Sequence, residues 1–109
     1  MKLKNLTGHP INIFLGGEEY LRIPPENKKV RIKIKRHVIG TVCGIPVRKR
    51  IVEAIDNLPN PIKDTVYIVP TIVLEQIRNK RDDIVSPDSG FNAIKNKKGD
   101  TIGVYGFIN

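Results

Sequence analysis

Tryptophan is missing from the chain, cysteine occurs once, and phenylalanine and tyrosine supply three residues each. A core of this composition has to be aliphatic, drawn from Ile and Val with some Leu, and those side chains favour sheet over helix. The lone Cys43 excludes an intrachain disulfide. No apolar run reaches the roughly 18 residues of a membrane span or forms a secretory leader. A reducing cytosol is the expected setting, with no membrane partner. Also missing are Walker and dinucleotide-binding Gly-rich loops, an HExxH pair, a Gly-flanked Ser and paired-Cys zinc spacing. With two histidines and one cysteine, a zinc site would need carboxylates from scattered positions. The expectation is a non-enzyme with no catalytic residues, no cofactor and no metal.

One further absence is local. Between residues 28 and 50 there is no acidic side chain, yet Lys28, Lys29, Arg31, Lys33, Lys35, Arg36, Arg48, Lys49 and Arg50 make up 9 of the 19 basic residues there. The formal net charge of +8 predicts attraction to polyanions or small phosphorylated molecules. Val30, Ile32 and Ile34 alternate strictly with Arg31, Lys33 and Lys35, the pattern of a half-buried strand with cations spaced roughly 7 Å apart on its outer face. Val38 to Gly44 reads as a Gly-punctuated bend. Ile45 to Ile55 then runs extended, with Arg48 and Arg50 on one face and Val47, Lys49 and Ile51 on the other. If the two segments pair antiparallel, their charge rows can lie side by side. Such rows repel unless an anionic ligand, a nucleic-acid backbone or acidic neighbours offset them. The plainer reading is a solvated edge strand whose lysines block edge-to-edge pairing.

Around this segment the chain divides into short elements. Asn5 to Pro10 reads as a turn, and Ile11 to Leu15 with Glu18 to Ile23 as a hairpin closed by Gly16-Gly17. Residues 56 to 61 read as a loop, and Thr65 to Val69 as a central strand covered on both faces. Thr71 to Lys80 fits a helix capped by Thr71, with Val73, Leu74 and Ile77 on its buried stripe. Ile84-Val85 is a short strand, Ser86 to Gly90 a loop, and Phe91 to Ile108 a hairpin turning at Asn96 to Asp100. The expected fold class is α+β, one β-rich domain over residues 1–109 with seven or eight short, mostly antiparallel strands in a sandwich or small barrel and one short helix.

A string of motifs spans most of the chain. It comprises Asn5-Leu6-Thr7-x-His9-Pro10-Ile11-Asn12-Ile13, Ile23-Pro24-Pro25, Gly44-Ile45-Pro46-Val47, Leu58-Pro59, Thr65-Val66-Tyr67-Ile68-Val69, Arg81-Asp82-Asp83-Ile84-Val85-x-Pro87, and Ile102-Gly103 with Gly106-Phe107. In these residues the chain resembles a family of small proteins common in bacteriophage and prophage genomes and in some bacterial chromosomes. Gly8 stands where that pattern has a second proline, which implies a looser first turn. The resemblance implies a phage-linked context rather than an activity. Small basic phage proteins without catalytic motifs include nucleic-acid binders and sponges that sequester nucleotide-derived immune signals, and both need fixed cations around phosphate.

The expected function is non-enzymatic sequestration of a small phosphorylated, nucleotide-derived molecule in a basic pocket, with self-association into a homo-oligomer. Arg31, Lys33, Lys35, Arg48 and Arg50 are the candidate phosphate ligands. His9, Arg81 and Asp82 are secondary candidates, although His9 equally buttresses its turn and Asp82 or Asp83 equally pairs with Arg81. The alternative is a nucleic-acid-binding accessory or regulatory protein. Residues 26 to 66 contain no Phe, Tyr or Trp, so binding through the basic strands would be backbone-led, salt-sensitive and unspecific. A third reading is a structural phage component whose basic face docks an acidic protein.

Overall fold

The computed structural model describes residues 1–90 and 93–109. In chain order its elements are β1 (Lys2–Asn5), β2 (Ile11–Leu15), β3 (Glu18–Ile23), β4 (Arg31–Val42), β5 (Ile45–Asp56), β6 (Thr65–Ile68), α1 (Thr71–Ile77), β7 (Ile84–Pro87), β8 (Ile94–Lys95), β9 (Thr101–Gly103) and β10 (Phe107–Ile108). The β-rich character, the mostly antiparallel pairing and the single short helix agree with the sequence reading. The strand count is ten among the described residues, and the sheets stay open, so the barrel alternative is corrected.

β6 is central. It lies between β1 and β7, parallel to both, and β10 joins the far side of β7 antiparallel. Alternation along β6 and its next residue sends Tyr67 and Val69 to one side of this sheet and Ile68 to the other. Tyr67 and Val69 meet Leu6, Val30, Val73, Leu74 and Ile84, while Ile68 meets Ile11, Ile13, Ile23 and Val104. The first side is therefore covered by α1 and the root of β4–β5, the second by the β2–β3 hairpin. Both faces of the 65–69 segment are buried, as its nearly continuous apolar character predicts.

Several boundaries differ from the sequence reading. Lys2 to Asn5, where no strand is expected from the sequence, is a strand because its backbone pairs with Thr65 to Ile68. α1 ends at Ile77, and the residue before it, Pro70, occupies the cap position, with no side-chain capping bond from Thr71. The Pro70 carbonyl instead accepts from the backbone N–H groups of Val73 and Leu74 at 3.0 and 3.1 Å. The C-terminal hairpin is limited to β8 and β9, and the chain then crosses to pair Phe107 and Ile108 with Pro87 and Ser86. Its expected start at Phe91 lies outside the described residues.

The first turn is tight rather than loose. Asn5, 1% exposed, donates from Nδ2 to the carbonyls of His9 (2.8 Å) and Ile23 (3.1 Å), and its Oδ1 accepts from Thr7 N–H (3.0 Å) and Thr7 Oγ1 (2.6 Å). Two donors and two lone pairs are thus all used. Gly8 sits at φ +89°, out of reach of a proline ring fixed near −65°. Glycine is what this turn requires.

The longest element is the β4–β5 hairpin, with 12 residues in each strand. At ~3.3 Å per residue each strand spans about 40 Å. Cys43 (φ 50°) and Gly44 (φ 77°) form its two-residue turn, and positive φ at both positions is the type I′ geometry whose twist matches that of paired strands. The segment read as a bend is therefore strand up to Val42. Ile32 and Ile55 anchor the root to the core, whereas every residue from Lys35 to Ile51 is exposed. The radius of gyration of 16.5 Å exceeds the roughly 13 Å of a compact chain of this length, as a projecting arm requires.

Candidate functional site

Residues directly paired across antiparallel strands share a face, so the arm's register assigns each cation to a side. Arg31 lies opposite Asp56, Lys33 opposite Ala54, Lys35 opposite Ile51 and His37 opposite Lys49. On the other side Ile32 pairs with Ile55, Ile34 with Val52, Arg36 with Arg50 and Val38 with Arg48. One face thus carries Arg31, Lys33, Lys35, His37 and Lys49, and the other Arg36, Arg48 and Arg50. The two strands do pair antiparallel, the condition on which the sequence reading set the charge rows together, but the rows Arg31, Lys33, Lys35 and Arg48, Arg50 do not lie side by side. They are back to back. Register shifts at Lys33/Ile34 and Val38/Gly40 leave Glu53 and Ile39 as bulged residues that add local twist.

Offsetting acid is scarce and sits at the root. Lys33 Nζ lies 3.9 Å from Asp56 Oδ2, with both side chains well exposed, an arrangement worth little in water. Beyond it, no ion pair involves Lys35, Arg36, Arg48, Lys49 or Arg50 among the described residues. Residues 38 to 47 carry no charge, and Val38, Ile39, Val42 and Ile45 are each more than half exposed. The arm is a basic shaft with an apolar end, and neither face of its outer half touches the core.

At the root, an open cleft of about 970 Å³ is lined in part by Lys28, Lys29, Arg31 and Lys33. Glu26 and Asp56 line it too, so its charge is partly balanced. Arg31 and Lys33 reach this cleft, while Lys35, Arg48 and Arg50 do not line it.

Arg81 is committed to structure. Its Nε and Nη2 donate to Asp83 Oδ1 (2.8 Å) and Oδ2 (2.6 Å), Nη1 donates to the Pro59 carbonyl (2.7 Å), and the guanidinium lies 5.8 Å from the centre of the Tyr67 ring. The two-point hydrogen bond holds the Asp83 carboxyl below the usual carboxylate range and raises Arg81, against the opposing effect of burial on each. The sequence reading allowed either Asp82 or Asp83 as partner. It is Asp83, and Asp82 is exposed. This fork ties the 81–83 turn to the loop at Pro59 and uses three of the five guanidinium N–H donors, the two that form the side-on fork among them.

His9 is exposed and lines another cleft of about 570 Å³. Arg22, which the sequence reading did not single out, lines it as well. Arg22 pairs with Asn12 because a register shift after Ile13 displaces β3 by one residue, and nothing in the sequence marks that bulge. Within this cleft's lining there is no Asp or Glu.

Among the described residues no three His, Cys, Asp or Glu side chains come together as a metal-ligand set, and no helix is long and apolar enough to cross a membrane. Comparison of the chain with protein-family models, curated proteins and solved structures gives no match.

Proposed function

We propose that the protein binds the backbone of duplex nucleic acid through the β4–β5 arm. The observation that carries this reading is a bare two-stranded ribbon with cations on both faces. A ribbon charged on one face can lie along a single phosphate row. One charged on both can be flanked by the two rows that border a groove, and a B-DNA major groove ~12 Å wide admits a two-stranded ribbon. The lack of aromatic residues from 26 to 66 makes this a backbone interaction with weak sequence preference. A phage-linked setting, which the motif string implies, suits such a partner.

Sequestration of a small phosphorylated molecule by Arg31, Lys33, Lys35, Arg48 and Arg50 together asks one pocket to reach both faces of the ribbon. A second copy closing over the arm would have to complete it. Self-association belongs, on this reading, to the uncharged end, since Val38, Ile39, Val42 and Ile45 are apolar and exposed there. The paired substitution Ile39→Ser and Ile45→Ser is then expected to lower the apparent mass in sizing experiments and to leave the charged shaft intact.

The nucleic-acid reading is tested by Arg48→Glu with Arg50→Glu. Loss of duplex affinity by roughly tenfold or more, with a shallower salt dependence, is expected. Unchanged affinity would remove the arm from the interface.

A further inference from the structure

Three parallel strands point their carboxyl ends at the same place. Thr7 and His9 follow β1, Pro70 and Thr71 follow β6, and Ser89 follows β7, and all five line the 570 Å³ cleft that holds Arg22. The chain leaves β1 for the side of the sheet covered by β2–β3, and leaves β6 for the side covered by α1. Where the connections leaving two neighbouring parallel strands diverge to opposite sides of the sheet, a crevice opens beyond the strand ends, and in open α/β sheets ligands bind in that crevice. The size is also that of a small-molecule site.

The lining defines the ligand's chemistry. Arg22 supplies a guanidinium that has no ion pair among the described residues, and His9 supplies an imidazole. Thr71, Ser89 and Thr101 present hydroxyls without a hydrogen bond to another described residue, whereas the Thr7 hydroxyl is used by Asn5. Ile102, exposed by 46%, and Pro70 give an apolar wall. With one unpaired cation, several hydroxyls, an apolar wall and no carboxylate, the site complements an anionic head on a hydroxylated, partly flat body. The turn that presents His9 is held rigid by the four Asn5 hydrogen bonds, and Arg22 is set beside it by its register with Asn12.

We infer that this cleft is a binding site for a nucleoside 5′-phosphate, with Arg22 and His9 on the phosphate and the hydroxyl groups on the sugar. It is separate from the arm and does not depend on the arm's function. The shared chemistry, a phosphate on a nucleoside, is found both in free mononucleotides and at the 5′ end of a strand.

The test is a heteronuclear NMR titration of the full chain with adenosine 5′-monophosphate, adenosine and inorganic phosphate. The monophosphate is expected to shift the signals of His9, Arg22, Thr71 and Thr101, and to bind at least about tenfold more tightly than adenosine. Arg22→Ala, an exposed position, should lower that affinity roughly tenfold, while Arg48→Glu with Arg50→Glu should leave it unchanged. Competition by a 5′-phosphorylated trinucleotide as strong as by the mononucleotide assigns the ligand to strand ends, and weaker competition assigns it to free nucleotide. Either result upholds the site. Equal binding of adenosine and its monophosphate, shifts confined to the arm, or an Arg22→Ala protein that binds like wild type would overturn it.

Discussion

Arg36 and Arg50 face each other directly across the β4–β5 ribbon, and neither has a carboxylate partner among the described residues. Like charges in directly opposed positions destabilise a strand pair, by about 0.2–1 kcal/mol. Arg50→Glu should therefore raise the melting temperature slightly at low salt while weakening duplex binding. A residue kept for stability would give the reverse pairing of effects. Parallel melting curves and binding isotherms on the single variant separate the two.

The Arg81–Asp83 fork makes a pH prediction. Asp83 is held below the ordinary carboxylate range by its hydrogen bonds to Arg81, so the folded state binds the proton less readily than the unfolded chain. The stabilisation is fully present above the unfolded value of roughly 4 and is lost as pH falls through the lower folded value. Asp83→Asn should cost about 1–3 kcal/mol near neutrality. Urea melts at falling pH should show the gap between wild type and variant holding constant and then narrowing below about pH 4. A gap that widens on acidification would contradict the assignment.

Asn5 closes the 5–9 turn and ties it to Ile23. Asn5→Ala removes four hydrogen bonds from a buried site and should cost about 2–4 kcal/mol by denaturant unfolding. A loss under roughly 0.5 kcal/mol would mean that water replaces the side chain at little cost.

Much of this architecture was readable in particular residues. The hairpin closed by Gly16-Gly17, the doubly covered run Thr65 to Val69 and the cation-bearing strands follow from alternation and turn chemistry, which are local. What escaped depends on distant or irregular partners. β1 is a strand through its pairing with β6, and its Lys2 and Lys4 give no apolar alternation to announce it. The projection of the arm escaped because Cys43-Gly44 is not a recognised turn pair and Gly40 interrupts the pattern. Arg31, Lys33, Lys35, Arg48 and Arg50 lie on two extended segments, as their alternation indicates, and the two strands pair antiparallel. Whether paired rows share a face depends on the register, and a one-residue slip reverses the answer.

The arm's turn yields a stabilising substitution. Cys43 holds φ 50°, a conformation disfavoured for most residues and better tolerated by asparagine. Cys43→Asn should stabilise the hairpin by about 0.5 kcal/mol and leave duplex affinity unaltered, since the turn carries no cation. Hydrogen exchange of amides near the tip would register the change.

The central claim, that the β4–β5 arm binds nucleic-acid backbone, is tested most directly by fluorescence anisotropy of a short mixed-sequence duplex across a series of salt concentrations. Seven Arg and Lys side chains lie on the two strands, Arg31, Lys33, Lys35, Arg36, Arg48, Lys49 and Arg50. Engagement of about five of them predicts that log K falls with log salt at a slope near −4 to −5. That slope, reduced by about 2 units in Arg48→Glu with Arg50→Glu, is the result the account predicts. No binding at low salt, or binding with a flat salt dependence that ignores the double substitution, would contradict it.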